Sequence, residues 1–386
     1  MRLGLGHVAT AVRAGLIVVG MARLATATRR PAPLDADPDA PVTPTITVVI
    51  PARDEARRIG PVLAATLAAP GVDRVIVVDD HSSDATAEVA RAAGAEVIAA
   101  PALPDGWAGK AWALQVGLES ADTEWVVTLD ADTEPDPALP AAMVRRANAD
   151  GVAMLTVAGG FVCPSVGAQW LHPAMLTTLV YRFGVPGTET RPDRMIANGQ
   201  AMALRRETLL ALGGLGVVAD QPVEDVALAR VVAENGSGVG FVDGSALLSV
   251  RMYETASQTA TGWGRSIALG GVEPLERQLF DAAVVAVAQA GATWSLVRLL
   301  AARRRRRAAL TGLVLDAVVI AARLGTLVGT RASYRVDRGG ARLAYWMSPS
   351  ADLPAAVLLV ASALRRQQSW RGRSYRPARP DRNAGR

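Results

Sequence analysis

Three acidic clusters each follow a short apolar run and could hold a divalent cation. They are Asp54-Glu55, Asp79-Asp80 and Asp130-Ala131-Asp132. Ligands of an open parallel sheet bind outside the carboxyl ends of the strands, so we expect these clusters to share one edge. Their charges would repel unless a cation joined them, and oxygen ligands without nearby cysteine favour Mg²⁺ or Mn²⁺ and a phosphate-bearing substrate. Alternatively, each acid only caps a helix or forms an Asx turn.

Apolar runs and Ala-rich segments alternate through the region that carries these acids. The predicted strands are Thr45–Ile50, Arg74–Val78, Glu96–Ala99, Trp125–Leu129 and Val152–Val157. The predicted helices are Ile59–Ala69, Ala85–Ala93, Lys110–Ser120 and Pro137–Ala149. Alternating strands and helices indicate βαβ units, and therefore an α/β fold with a mostly parallel sheet.

The composition narrows the possible chemistry. Half of the 386 residues are hydrophobic, which excludes a disordered chain, and the single Cys163 excludes a disulfide framework or a Cys-rich zinc site. No G-x-G-x-x-G follows the first strand and no P-loop motif occurs, which counts against dinucleotide-dependent dehydrogenases and P-loop enzymes. Lys110 is the only lysine among 41 basic residues. It is either retained for its chemistry or an ordinary exposed lysine.

The acidic clusters belong to ordered motifs that resemble glycosyltransferase family 2, whose domains have the GT-A fold. The motifs are Val49–Glu55, Val77–Thr86, Leu129–Asp132 and Val223–Asp225. Gly106–Lys110 and Ser369–Tyr375 are similar to the membrane-bound branch that contains hopanoid-associated and carotenoid glycosyltransferases. The resemblance covers residues 44–272 and, more loosely, the apolar C-terminal part.

The resemblance implies a binding site for a nucleotide-sugar donor. Its members are Pro51, Ala52, Arg53, Glu55, Asp79, Asp80, Lys110, Asp130, Asp132 and Arg265. Within it, Asp79 or Asp80 would bind the base or ribose, and Asp132 with Asp130 beside it would bind the metal, Mg²⁺ or Mn²⁺. Lys110 or Arg265 would add positive charge at the diphosphate.

The resemblance also implies how the acceptor is used. Asp225 would be the general base that takes the acceptor's proton, with inversion at the sugar, and Glu224 would lie on the acceptor side. Alternatively, both acids only complement the dipole of the helix that they open. Trp263 would stack on a sugar or an acceptor chain, or anchor at a membrane interface. The Gln-x-x-Arg-Trp motif of processive relatives is absent, which favours the addition of one sugar per acceptor.

Composition divides the chain into four segments. We expect an N-terminal anchor or surface helix and linker at 1–42, the GT-A domain at 43–272, membrane-associated helices at 273–364 and a basic tail at 365–386. Arg303–Arg307 would conflict with the positive-inside rule if the preceding helix crossed the membrane from the cytoplasm. The tail could bind anionic lipid or nucleic acid, and we expect lipid and no nucleic acid.

These features and the resemblance to the family together predict a metal-dependent, inverting glycosyltransferase at the membrane. The expected donor is a nucleotide-diphosphate sugar, a UDP-hexose. The acceptor would be a lipid hydroxyl or carboxylate of polyprenyl, hopanoid or carotenoid type. The expected location is a bacterial cell membrane, with the catalytic domain in the cytoplasm. The alternatives are a GT-A sugar nucleotidyltransferase and a non-catalytic membrane scaffold.

Overall fold

A computed structural model describes residues 5–36, 45–302, 310–336, 339–365, 368–370 and 373–375. Its main sheet has seven strands in the order β3-β2-β1-β4-β8-β6-β9. The bounds are β1 Ile46–Ala52, β2 Val72–Asp79, β3 Glu96–Ala99, β4 Trp125–Leu129, β6 Met154–Ala158, β8 Ala201–Arg205 and β9 Val239–Asp243. The α/β class is confirmed, and each of the five predicted strands is present.

The main sheet is mostly parallel, as predicted. Strands β3, β2, β1 and β4 run parallel to one another, and β6 runs parallel to β9. Strand β8, which the sequence analysis missed, lies antiparallel between β4 and β6. The continuous apolar strands follow from burial on both faces. On β1, for example, Val48 and Ile50 pack into one core layer and Val49 into the other.

A second, three-stranded sheet supports the ends of the main one. It comprises β5 Thr133–Pro135, β10 Leu248–Arg251 and β7 Gly160–Val162. Central β10 runs antiparallel to β5 and parallel to β7. Because β5 begins directly after Asp132 and β10 ends directly before Met252, this sheet places both residues beside the same edge of the main sheet.

Fourteen α-helices occur in the described part of the chain. Those of the α/β region are α2 Gly60–Leu67, α3 Thr86–Ala93, α4 Gly109–Ser120, α5 Leu139–Asp150, α7 Arg206–Ala211 and α8 Glu224–Glu234. The others are α1 Leu5–Leu24, α6 Val166–Phe183, α9 Ala256–Ser266, α10 Leu275–Val284, α11 Gly291–Ala302, α12 Leu310–Gly329, α13 Gly339–Trp346 and α14 Asp352–Ala363.

Three helices are long and apolar enough to cross a membrane: His7–Arg29, Leu275–Leu300 and Thr311–Ser333. Helices α13 and α14 form a bent pair, at 56°, that could make a fourth. The five arginines at 303–307, most of the linker and the end of the basic tail lie outside the described residues. Within the tail, Gln368–Trp370 (β11) and Arg373–Tyr375 (β12) form an antiparallel pair.

Buried ion pairs account for charged residues within these apolar helices. Asp316 of α12 bonds Arg13 of α1, and Arg323 of α12 bonds Asp352 of α14 with Nε–Oδ2 at 2.7 Å. Charged groups in apolar surroundings are costly unless they are paired. The first pair therefore joins α1, near the N-terminus, to α12, and the second joins α12 to α14.

Candidate active site

A cavity of about 990 Å³ opens at the carboxyl ends of β1, β2 and β4. Most of the predicted site residues line it: Pro51, Ala52, Arg53, Glu55, Asp80, Lys110, Asp130, Asp132, Glu224 and Arg265. Asp79, Asp225 and Trp263 are not among the lining residues. The structure thus brings the three predicted acidic clusters to one edge of the sheet, with at least one carboxylate of each on the cavity.

The loops that follow β1 and β2 are fastened to each other. The backbone N–H of Glu55 donates to Thr86 Oγ1 at 2.8 Å, and Asp54 accepts from the backbone N–H of Ser83 at 2.7 Å. Asp54 has a φ of 56°, in the left-handed region, and its bonds to Ser83 lower the pKa of its carboxyl. Asp54 therefore holds the loops together at the surface, while buried Glu55 faces the cavity.

Only one carboxylate of the pair after β2 faces the cavity. Asp80 is buried and lies 3.4 Å from Arg53, measured from Oδ2 to Nη1. Asp79 remains in the strand, and its Oδ2 accepts from the backbone N–H of Ser82 at 3.4 Å. Asp79 is thus the last residue of β2, and Asp80, directly after the strand, is the carboxylate of the pair that lines the cavity.

Asp130 and Asp132 both line the cavity because β4 ends at Leu129. The N–H and hydroxyl of Thr133 donate to the carbonyl oxygen of Asp130, at 3.1 and 2.7 Å, and close a turn. Burial raises the pKa of both aspartates. The Asp132 side chain stays 37% exposed, and its Oδ2 lies 3.8 Å from Arg58 Nη1.

This pair fits a divalent cation of the Mg²⁺ or Mn²⁺ kind. No group of three or more His, Cys, Asp or Glu side chains is arranged for a metal within the described residues. Mg²⁺, however, commonly takes one or two carboxylates and fills its remaining positions with water and substrate phosphates. Two oxygen-donor side chains on one turn, facing a cavity large enough for a diphosphate, meet that requirement.

Lys110 connects the two acidic sides of the cavity. Its Nζ lies 2.8 Å from Asp130 Oδ1 and 3.0 Å from Glu224 Oε1. Burial opposes its charge, yet Asp130, Glu224 and Asp225 together raise the pKa of Lys110 well above its usual value. The only lysine of the chain is therefore a partly buried cation inside the candidate site, and the alternative of an ordinary exposed lysine is wrong.

Glu224 and Asp225 open α8 and differ in their surroundings. Glu224 lines the cavity, whereas Asp225 lies beside it and accepts hydrogen bonds from the backbone N–H groups of Gly199 and Val226, at 2.7 and 2.8 Å. Burial, followed by the charge of Glu224, raises the pKa of Asp225 from 3.8 to about 7, against the opposing effect of Lys110. A carboxyl group with this pKa can both accept and release a proton near neutral pH.

Helix α9 presents different residues to the cavity and to the helical bundle. Arg265 lines the cavity and forms no ion pair with any residue that the structure describes. Trp263 instead packs edge-on against His172 of α6, with ring centroids 5.2 Å apart. The sequence analysis did not identify Arg58, Met252 or Tyr253, which also line the cavity. Of these residues, only Met252 and Tyr253 carry a sequence signal: like the acidic clusters, they follow directly after an apolar run.

Comparison with known families agrees with this arrangement. Residues 47–211 match the family described as Glycosyl transferase family 2. These residues are a glycosyltransferase family 2 domain. The resemblance inferred from the ordered motifs is therefore confirmed, and the fold is GT-A-like, as expected.

The glycosyltransferase domain also has curated relatives. The 4,4'-diaponeurosporenoate glycosyltransferase of Staphylococcus haemolyticus is 26% identical over 236 residues, which are 59% of this chain and 62% of the relative. That of Staphylococcus aureus strain USA300 is 27% identical over 235 residues, which are 59% and 63% of the two chains. The similarity thus spans less than two thirds of the relatives' length. A mannosyltransferase from Pyrobaculum calidifontis, solved with GDP-Man and Mn²⁺, is 18% identical, with a TM-score of 0.49 over 92% of this chain and 95% of that one.

Proposed function

We propose that this chain is a membrane-associated, metal-dependent glycosyltransferase that moves one sugar from a nucleotide-diphosphate sugar to a lipid acceptor with inversion. The observation that carries the proposal is the convergence of Asp80, Asp130, Asp132, Lys110 and Glu224 on one cavity of a glycosyltransferase family 2 domain. This charge arrangement suits a substrate that combines hydroxyl groups with a diphosphate.

On the donor side, each charged side chain discussed here has a separate role in the proposal. Asp80 accepts hydrogen bonds from the base or ribose, and Arg53, which pairs with it, orients its carboxylate. Asp130 and Asp132 would hold Mg²⁺ or Mn²⁺, and the bound ion would stabilise negative charge on the departing diphosphate. Arg265, which lacks an ion-pair partner in the described structure, supplies further positive charge.

On the acceptor side, Asp225 removes a proton. The acceptor oxygen forms the new bond to the anomeric carbon while the bond from that carbon to the diphosphate oxygen breaks. A hydroxyl acceptor passes its proton to Asp225, whose pKa of about 7 leaves a large ionised fraction at neutral pH. Lys110 stabilises the ionised form, since its positive charge lowers the pKa of Asp225. Glu224, which faces the cavity, contacts the acceptor.

The acceptor is proposed to be a lipid because the site adjoins apolar helices. Helix α9 lines the cavity and also packs against α6 and α14, and its Trp263 belongs to the same apolar cluster as Ile267, the residue after α9. The relatives are named for a carotenoid-type acceptor, 4,4'-diaponeurosporenoate. We accordingly propose a polyprenyl, hopanoid or carotenoid acceptor, a UDP-hexose donor, and a bacterial cell membrane location with the catalytic domain in the cytoplasm.

The test uses the full chain in phosphatidylglycerol and phosphatidylethanolamine vesicles with Mn²⁺ and a panel of nucleotide sugars. A polyprenol, a hopanoid alcohol and 4,4'-diaponeurosporenoate are offered as acceptors, and the products are read by mass spectrometry. We expect one hexose on one acceptor class, and none with Asp132→Ala. Pyrophosphate release from a nucleoside triphosphate and a sugar phosphate would identify a nucleotidyltransferase instead. No turnover of any nucleotide sugar would indicate a scaffold.

A further inference from the structure

Tyr253, rather than Trp263, provides the aromatic surface within the cavity. The resemblance to the family directed attention to Trp263, but its ring packs against His172, away from the cavity. Tyr253 is half-buried and lines the cavity together with Met252. Aromatic rings with one face available offer a large apolar contact at small entropic cost.

Gly262 of α9 provides the space in which the Tyr253 ring lies. A Cβ atom added at Gly262 would overlap Cζ, Cε2 and the hydroxyl oxygen of Tyr253. The backbone φ at Gly262 is not positive, so the glycine is needed there for space and not for conformation. Any larger residue at position 262 would therefore displace the ring from this wall of the cavity.

The segment that carries Tyr253 is also fixed by hydrogen bonds. The backbone N–H of Met252 donates to the carbonyl oxygen of Val162 at 2.9 Å. On the other side, the backbone N–H of Glu254 donates to Gln258 Oε1 at 3.0 Å, one turn into α9. The backbone on both sides of Tyr253 is thus fixed, to β7 on one side and to α9 on the other.

The Tyr253 ring lies on a different loop from most of the predicted donor residues. All of them except Lys110 of α4 and Arg265 of α9 lie at or after the ends of β1, β2 and β4, whereas Tyr253 lies in the loop between β10 and α9. The opposite side of α9 carries Ala260 and Trp263, which belong with Ile267 to the apolar cluster of the helical bundle, where α9 packs against α6 and α14. A lipid that reached the cavity from those helices would pass along α9 and meet Tyr253 and Met252 as apolar groups.

We propose that Tyr253, lying on Gly262, is the surface against which the apolar chain of the lipid acceptor packs as its reacting group enters the cavity. The inference rests on the proposed function and identifies a residue that selects acceptors with an apolar chain. Tyr253 is not assigned any part in the proton transfer or in donor binding.

The experiment compares Tyr253→Ala, Tyr253→Phe, Gly262→Ala and the double variant Gly262→Ala/Tyr253→Ala in the full chain in vesicles. The acceptor is 4,4'-diaponeurosporenoate, and the donor KM and the slow hydrolysis of UDP-glucose without acceptor are followed separately. We expect Tyr253→Ala and Gly262→Ala each to raise the acceptor KM about ten-fold, which is typical for loss of one packed aromatic contact. Tyr253→Phe keeps the ring and should behave like the wild type.

The double variant distinguishes displacement of the ring from general damage to α9. If Gly262→Ala acts only by pushing the ring aside, it should add no further increase once Tyr253 is alanine. An unchanged acceptor KM in Tyr253→Ala, or a change confined to the donor KM, would overturn the inference. If the wild type does not hydrolyse UDP-glucose, the result counts against the proposed function itself. If Tyr253→Ala still hydrolyses UDP-glucose but has a raised acceptor KM, the result supports the assignment of Tyr253.

Discussion

Asp225→Asn should make the protein more stable at alkaline pH while removing most of its activity. The carboxyl of Asp225 has its pKa raised to about 7, chiefly by burial and then by the charge of Glu224. A folded-state pKa above the unfolded value means that the contribution to stability is fully present below about pH 4 and is lost as the pH rises to about 7. Above about pH 7 the ionised Asp225 carboxylate therefore lowers the stability of the folded protein.

The magnitude follows from the pKa and the hydrogen bonds of Asp225. Raising the pKa from 3.8 to about 7 costs the ionised form on the order of 4 kcal/mol at pH 8. The asparagine avoids this cost but can accept only one of the backbone N–H groups of Gly199 and Val226, which loses about 1 kcal/mol. The variant should thus gain roughly 2–3 kcal/mol at pH 8 and almost nothing at pH 5.

The assay is thermal unfolding of the full chain in detergent, followed by tryptophan fluorescence at pH 5 and pH 8. At a few degrees per kcal/mol, the variant should melt roughly 5 °C above the wild type at pH 8 and within about 2 °C of it at pH 5. Sugar transfer to a hydroxyl acceptor, the polyprenol or the hopanoid alcohol, should fall about 10²–10⁴-fold. The comparison variant Glu224→Gln should gain less, because the relief of repulsion on Asp225 is offset by loss of the ion pair with Lys110. Equal differences in melting temperature at both pH values would refute the reasoning.

Further predictions concern the cation, the metal site and the helical bundle. Lys110→Met should shift the rise of activity with pH to higher pH, because the lysine lowers the pKa of Asp225; an unshifted profile would contradict this. Asp132→Ala should abolish transfer yet leave the melting temperature within about 2 °C, since its side chain is 37% exposed; a marked loss of stability would show a structural role. Asp316→Ala should lower the melting temperature by a few degrees, since it leaves Arg13 and Arg298 without their buried partner; both arginines are partly exposed, so the cost should fall below the roughly 3–5 kcal/mol of a fully buried pair, and unchanged melting would show that the pair adds nothing to stability.

The strands and the acidic edge could be predicted because local patterns determine them. A run such as Trp125–Leu129 is apolar throughout because both of its faces are buried, and the aspartates after it begin where the strand ends. The sequence therefore places Asp80, Asp130 and Asp132 at one edge without knowledge of the contacts between strands. The ordered motifs added the family and the expected donor site.

Other features depend on long-range packing and could not be read from the sequence. Strand β8 runs antiparallel because of the path of the long connection before it, and β5 and β7 have only three residues each. The rotation of α9, which turns Trp263 away from the cavity, is set by its contacts with α6 and α14. Likewise, the space that Gly262 leaves for Tyr253 is visible only once the loop after β10 is placed.

The most direct test of the account is the binding of Mn²⁺ in the presence of UDP, measured by electron paramagnetic resonance on the full chain. Wild type and Asp225→Asn should both bind the ion more tightly when UDP is added, while Asp132→Ala should lose this binding and Asp225→Asn should lose only sugar transfer. Equal binding of Mn²⁺ and UDP by wild type and Asp132→Ala would contradict the claim that this acidic edge holds a metal-bound diphosphate.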